Sequence, residues 1–306
     1  MNRLQLIDLD DHTKLDELVK KSEIIGKIGK TTRARDINNL KLAYDLYKRA
    51  NGAPDQILQG MQGNTISRKM GAALQHYYKK PTKDLKFIDL MRDEFKIRTC
   101  PMCGSLASGT LDHYLPQKFH KAFTIFSLNL VPSCLCNSKK GVKLKGDKAN
   151  QRLLHPYFDD CLQHRLVRVD IHHPETTPTV SSHVLLLPSD PNYAAVEFHF
   201  STLVKAKLEM YVLENFIDFC RRPGDLISSL TRNPHNEAHL RRLIEGELHS
   251  KDNYFGSKNN WVSLLLFALL QDNTLSWLAG KLCVKGRVPN SPLVTHHAAK
   301  SSLFLL

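Results

Sequence analysis

Two close pairs of cysteines constrain this chain more than any other feature. Cys100 and Cys103 stand in CPMCG, and Cys134 and Cys136 stand in PSCLCN about thirty residues later. Two thiolates with two residues between them can grip one tetrahedral ion, and a second pair completes a four-sulfur shell. The chain between the pairs must then double back on itself. CPMCG alone could be a redox pair, and for the four together the competing reading is unrelated reduced thiols. The other cysteines, Cys161, Cys220 and Cys283, are scattered, and the total of seven is odd. The first residues, MNRLQLIDLDDHTKLDEL, are acidic and lack an apolar core, so no signal peptide is expected. Together these features favour metal over disulfides. The second pair is C-x-C, one residue tighter than a usual knuckle, which leaves His155 and Cys161 as alternatives for one ligand position.

Around this staple the chain changes character. Residues 1–97 read as helical: Ile37, Leu40, Leu42, Tyr44, Leu46 and Tyr47 recur near helical spacing, as do Leu85, Phe87, Ile88, Leu90 and Met91. Residues 98–160 are rich in Cys, His, Lys and Pro, with short strand-like pieces. Residues 161–306 read as α+β. Strands are expected at 165–171, 182–187 and 194–200, and helices at 203–220, 238–248 and 260–270. On the 203–220 helix, Leu208, Tyr211, Val212, Phe216 and Phe219 fall near one face. From about Lys281 the Gly, Pro and Ser content suggests loose order. The fold class expected is α+β, mainly helical.

The net charge of +13 exceeds what solubility requires. It points to a polyanionic partner, nucleic acid before an anionic membrane. The longest apolar run, Trp261 to Leu270, is broken by Gln271 and Asp272 and is too short to span a bilayer. A cytoplasmic protein with no membrane partner is the expectation.

Two motifs mislead. GKIGKTT (26–32) has only Lys27 and Ile28 between Gly26 and Gly29, whereas a phosphate loop needs four residues there, so a basic loop is expected. HNEAH (235–239) lacks the glutamate that a zinc-protease helix carries after its first histidine, and reads as a solvated helix start. His172–His173 and His296–His297 carry no spacing signal.

Between the cysteine pairs lie LDHYLP (111–116) and LNLVP (128–132), and NSKKGVKLKGDK (137–148) follows the second pair. An isolated Asp-His pair reads as a polar turn. In this order, CPxCG, LDHxLP, NLVPSC, then CN with a following lysine, the segment resembles the HNH endonucleases of the His-Me finger group. The likeness covers about residues 98–157, a fifth of the chain. It implies a zinc-stapled ββα-metal finger between a helical front and an α+β rear. By the same resemblance His113 is the general base, Asp112 holds the catalytic metal, Asn129 braces the finger and orients the histidine, and Asn137 is the third position and a metal ligand.

That chemistry suits phosphodiester hydrolysis. A neutral imidazole is a competent base near pH 7, and one cation can act as Lewis acid and leaving-group stabiliser. Oxygen donors on Asp112 and Asn137 suit Mg²⁺ or Mn²⁺, leaving Zn²⁺ to hold the fold. On a strand Asp112 and His113 face opposite ways, so the cation is expected between the strand end and the helix bearing Asn137. Lys139, Lys140, Lys143 and Lys145, followed by Lys148 and Arg152, read as phosphate contacts rather than a merely solvated face. His155, in HPYFDD, is either a supplementary ligand or a packed ring under Tyr157 and Phe158.

The layout more narrowly resembles the PtuB-type nucleases of Septu and some retron anti-phage systems. This implies an ABC/SMC-like, PtuA-type ATPase partner, a retron complex in some cases, and activity restrained until infection. DNA is favoured as substrate, with RNA or tRNA open. Two other classes compete: a non-catalytic zinc-finger module that binds nucleic acid, and a purely structural subunit.

Overall fold

The computed structural model describes residues 1–6, 9–61, 63, 65–93, 99–106 and 109–294. The fold is mixed helix and sheet, mainly helical, with two small antiparallel pairs of strands. Contacts divide the chain into two compact units, Met1–Leu162 with Pro188–Leu203, and Gln163–Leu187 with Val204–Leu306. The helical front and the cysteine-rich segment therefore share one unit.

The first unit opens with helices α1 (Asp11–Lys21), α2 (Glu23–Gly26), α3 (Lys30–Arg49), α4 (Pro54–Gly60), α5 (Arg68–Lys79) and α6 (Phe87–Asp93). Their starts are written locally. Asp10 accepts from the Thr13 amide to cap α1, and Ser67 Oγ accepts from Met70 to cap α5. Buried Asp36, on α3, in turn holds Ser67 through its amide at 3.2 Å and its hydroxyl at 2.5 Å. GKIGKTT supplies the end of α2, a short link and the first turn of α3. On α3 the buried residues Leu40, Tyr44 and Tyr47 recur at helical spacing, while Leu42 is left exposed. Tyr44 stacks on Phe126 with centroids 4.3 Å apart, and Tyr47 packs on Phe123, Phe126 and His155. The core of this unit thus joins the helical front to the segment between the cysteine pairs.

That segment carries β1 (Thr110–His113), β2 (Leu130–Ser133) and the short helix α7 (Cys136–Lys140). The strands run antiparallel, with Asp112 opposite Val131 and His113 opposite Leu130. The link between them folds into tight turns that bury Phe123, Ile125, Phe126 and Leu128.

The chain then forms β3 (Val167–His172) and β4 (Thr179–Val184), the hairpin of the second unit. The strand expected at 182–187 ends sooner, at Val184, where pairing with Val167 closes the register, and Leu187 is exposed. The strand expected at 194–200 is instead helix α8 (Tyr193–His199), in the first unit. AAVEFHF alternates weakly, and the burial of Ala195, Val196 and His199 follows helical spacing.

The second unit continues with α9 (Lys205–Arg221), α10 (Pro223–Leu226), α11 (Glu237–Phe255), α12 (Trp261–Leu269) and α13 (Asp272–Leu282). On α9, Leu208, Val212, Phe216 and Phe219 are buried and Tyr211 is half-buried. HNEAH lies at the start of α11, where Asn236 caps by accepting from the His239 amide at 2.8 Å. α12 is a buried core helix, and among the described residues no single helix is long and apolar enough to cross a membrane. The expected loose order from Lys281 does not extend through the described part. Leu293 donates to the Cys220 carbonyl, and Arg287 to Asn233. Residues 295–306, with His296 and His297, lie outside the described residues.

Candidate metal centre and the site beside it

Cys100, Cys103, Cys134 and Cys136 converge, their sulfurs all within 4.8 Å of one another. The Cys100–Cys136 and Cys103–Cys134 separations are 3.7 and 3.5 Å. Four thiolates around zinc at about 2.3 Å would stand about 3.8 Å apart, so the donor set fits a tetrahedral ion. Gly104 makes the first knuckle possible. It adopts φ of +85°, and its amide closes the turn on the Cys100 carbonyl at 2.8 Å. Backbone amides of Cys134 and Cys136 point at the sulfurs of Cys100 and Cys134, at 3.3 and 3.2 Å. Shared hydrogen bonds split the four thiols. Cys103 and Cys134 are drawn down, chiefly by hydrogen bonds from Cys100, while Cys100 and Cys136 are pushed up. Crowded sulfurs cannot all ionise without a cation among them. Of the alternatives, His155 and Cys161, neither belongs to the cluster.

β1 presents opposite faces, as a strand must. Thr110 and Asp112 face α7. There Asn137 Nδ2 donates to Thr110 Oγ1 at 3.1 Å. Lys140, one turn further along α7, places its ammonium against Asp112 Oδ2 and donates to the carbonyls of His113, at 2.5 Å, and Tyr114, at 3.3 Å. Lys140, assigned above to phosphate, is thus turned inward: its side chain is 2% exposed, against 22% for Asp112. The gap between strand and helix, where a divalent cation is expected, is bridged by this ammonium. Oδ1 of Asp112 and of Asn137 stand outside these contacts, and both are hard oxygen donors that suit Mg²⁺ or Mn²⁺. Lys145 pairs with Asp55 at 2.8 Å, while Lys139 and Lys143 are exposed.

His113 lies on the other face of β1, 5% exposed. Its Nε2 meets the Thr124 carbonyl at 2.9 Å. A carbonyl can only accept, so Nε2 carries the proton and Nδ1 keeps the lone pair. Burial lowers the pKa of His113, opposed by the Thr124 hydrogen bond and helped by the positive charges of Lys140 and Arg92. The ring is therefore neutral near pH 7, with Nδ1 as its basic atom.

Asn129 is fully buried and pins the chain between the strands. Its Oδ1 accepts from the Leu115 amide at 2.7 Å, and its Nδ2 donates to the carbonyls of Leu115 and Phe123 at 3.2 and 3.1 Å. Phe123 precedes Thr124, whose carbonyl meets His113, so Asn129 and His113 bond to adjacent peptide units.

The helical front reaches the same site, which the motif alone did not reveal. Tyr47 donates to Asn129 Oδ1 at 3.2 Å and lies 2.8 Å from His155 Nε2. The Tyr157 amide donates to His155 Nδ1, so His155 is a packed, neutral ring that relays a hydrogen bond rather than a ligand. Asp11, at the start of α1, accepts from both the amide and the hydroxyl of Ser127. Tyr78, on α5, sets its ring 4.4 Å from His113 and donates to the Leu111 carbonyl, and the Arg92 guanidinium lies 4.6 Å over that ring. These partners sit far away in sequence, and no short-range spacing could have found them.

No family model and no solved structure matches the chain. A curated protein, protein ea31 of Escherichia phage lambda, is 40% identical to it over 63 residues, 20% of this chain and 21% of that protein. The chain thus spans about a fifth of the length of the curated relative it matches.

Proposed function

We propose that this protein is a metal-dependent endonuclease of the HNH type, hydrolysing phosphodiester bonds of nucleic acid, with DNA favoured over RNA. The observation that carries this reading is the state of His113. Its Nε2 is committed to the Thr124 carbonyl, and burial keeps the ring neutral, so Nδ1 is free to take a proton from water. Asn129 holds that geometry, and Asp112 and Asn137 offer the oxygen donors for Mg²⁺ or Mn²⁺. Bound there, the cation would supply Lewis-acid help to the phosphate and the leaving oxygen. Zinc on the four cysteines fixes the strand pair and α7 against each other. The net charge of +13, with Lys139 and Lys143 exposed, supports a polyanionic substrate. The chain's resemblance to PtuB-type nucleases extends the proposal to an anti-phage effector working in the cytoplasm with an ABC/SMC-like ATPase, in some settings within a retron complex.

The test is cleavage of plasmid DNA and of RNA by purified protein, alone and with such an ATPase. Nicking is expected with Mg²⁺ and not with EDTA. His113→Ala removes it while zinc content holds at about one equivalent. Undiminished cutting by His113→Ala refutes the base assignment. Tight binding by the wild type without cutting, under every metal and partner condition, makes the protein a zinc-stabilised binding module instead.

A further inference from the structure

We propose that Arg92, delivered by the helical front, is a phosphate-binding residue of the His113 site. The inference rests on the nucleic-acid reading above. It concerns a residue outside the segment that carries the resemblance.

Three side chains lie in a row, the first two meeting edge to face. Tyr78 lies against His113, ring centroids 4.4 Å apart at 60°, and the guanidinium of Arg92 lies on Tyr78 at 4.6 Å. Tyr78 is itself fixed, since its hydroxyl donates to the Leu111 carbonyl at 2.9 Å. Arg92 is held at two points. Its Nη2 donates to the Tyr78 carbonyl at 2.6 Å and its Nη1 to Asp89 at 3.0 Å. A guanidinium has five N–H donors in a rigid fork. These two contacts use two of the five, and the rest suit the oxygens of a phosphate.

Among the described residues, two cations bear directly on His113, and one of them is shielded. Lys140 and Arg92 are the positive groups that act on His113. Lys140 is 2% exposed and committed to Asp112, whereas the Arg92 side chain is 30% exposed. Of these two, Arg92 is therefore the cation open to a phosphodiester brought to His113. Asp89, at 48% exposure, is the group that offsets that charge when no anion is bound.

The experiment is binding of the whole chain to a labelled DNA duplex and a labelled RNA strand, without added divalent metal, across a salt series. Arg92→Gln is expected to weaken binding about tenfold, as for a charge-assisted hydrogen bond. It should also lower the slope of log affinity against log salt by about one. Arg92→Lys should restore the slope and only part of the affinity, because an ammonium keeps the charge and loses the fork. Asp89→Asn should bind more tightly than the wild type, which damage to the fold cannot produce. Melting curves and zinc content establish that each variant is folded. Should Arg92→Gln misfold, Arg92→Lys and Asp89→Asn decide the matter. Unchanged affinity and slope in Arg92→Gln, or weaker binding by Asp89→Asn, overturns the inference while leaving the nuclease reading intact. A wild type that binds neither probe overturns both.

Discussion

Lys140 shows how far a motif can be read at the scale of one residue. The cluster of four cysteines was legible because the spacing within each pair is short and thiol chemistry is specific. The lysine run after them was not, because charge says nothing of direction. Lys139, Lys140, Lys143 and Lys145 look equivalent in sequence, yet only Lys139 and Lys143 stand exposed and outside the ion pairs described above. Position on α7 decides: Asn137 and Lys140 share the face that meets Thr110 and Asp112. The difference is testable. Lys140→Met leaves Asp112 and two carbonyls without their donor, and should cost about 2–4 kcal/mol of stability. Lys139→Glu and Lys143→Glu should leave stability within about 0.5 kcal/mol and weaken nucleic-acid binding instead. Denaturant titration and a binding assay on the three variants separate the roles. A stable Lys140→Met with impaired binding would return that residue to the surface.

At the scale of elements, periodicity located most helices but not the ends or the ambiguous pieces. α3 and α9 were legible from apolar faces, whereas α8 reads as a strand because seven residues are too few to fix a period. What joins α3 to the strand pair is a buried hydrogen-bond relay, His155 to Tyr47 to Asn129, which no local pattern encodes. The turn after α3 is fitted to it. Gly52 has φ of +71°, and a Cβ there would collide with Cδ2 of the His155 ring. That ring cannot yield, being held by Tyr47 on one nitrogen and the Tyr157 amide on the other. Gly52→Ala should therefore cost about 2–4 kcal/mol, from left-handed backbone strain plus overpacking. Equilibrium unfolding measures it, and a neutral result would mean the relay is slack. The four-cysteine cluster is a second element-scale dependence. Cys100→Ser removes one of four ligands, and is expected to lose the metal and leave the strand pair and α7 without their common anchor. Metal analysis of the purified variant checks the loss, and a full equivalent of zinc in it would exclude Cys100 from the shell.

The whole molecule carries a pH dependence that follows from where its titratable groups are buried. His199, on α8, accepts from the Leu154 amide and donates to the Met102 carbonyl, tying α8 to the first cysteine knuckle. Burial lowers its pKa to about 4 and that of His155 to about 3, from 6.5. Asp11 moves the other way, raised by burial to about 6 from 3.8 despite the hydrogen bonds from Ser127. As pH falls below 6.5, the unfolded chain takes up two histidine protons that the folded chain refuses, so stability is lost. Between about pH 6 and 4 the folded chain holds a proton on Asp11 that the unfolded chain lacks, which returns roughly half of that loss. Taking about 1.4 kcal/mol per unit of pH for each proton, these three groups together give a loss of roughly 2 kcal/mol between about pH 7 and pH 5, and the buried Met1 amine, lowered to about 6 from 8.0, adds to it. With a metal on the four cysteines, protonation of its thiolate ligands would act in the same direction. Asp11→Asn abolishes the opposing contribution and should steepen the decline, whereas His199→Gln should flatten it. Urea unfolding of the three proteins at both pH values, in zinc-containing buffer, measures each slope. A wild type equally stable at the two values would mean that His155 and His199 are open to water, and the packed link between the helical front, the cysteine knuckle and α8 would have to be abandoned.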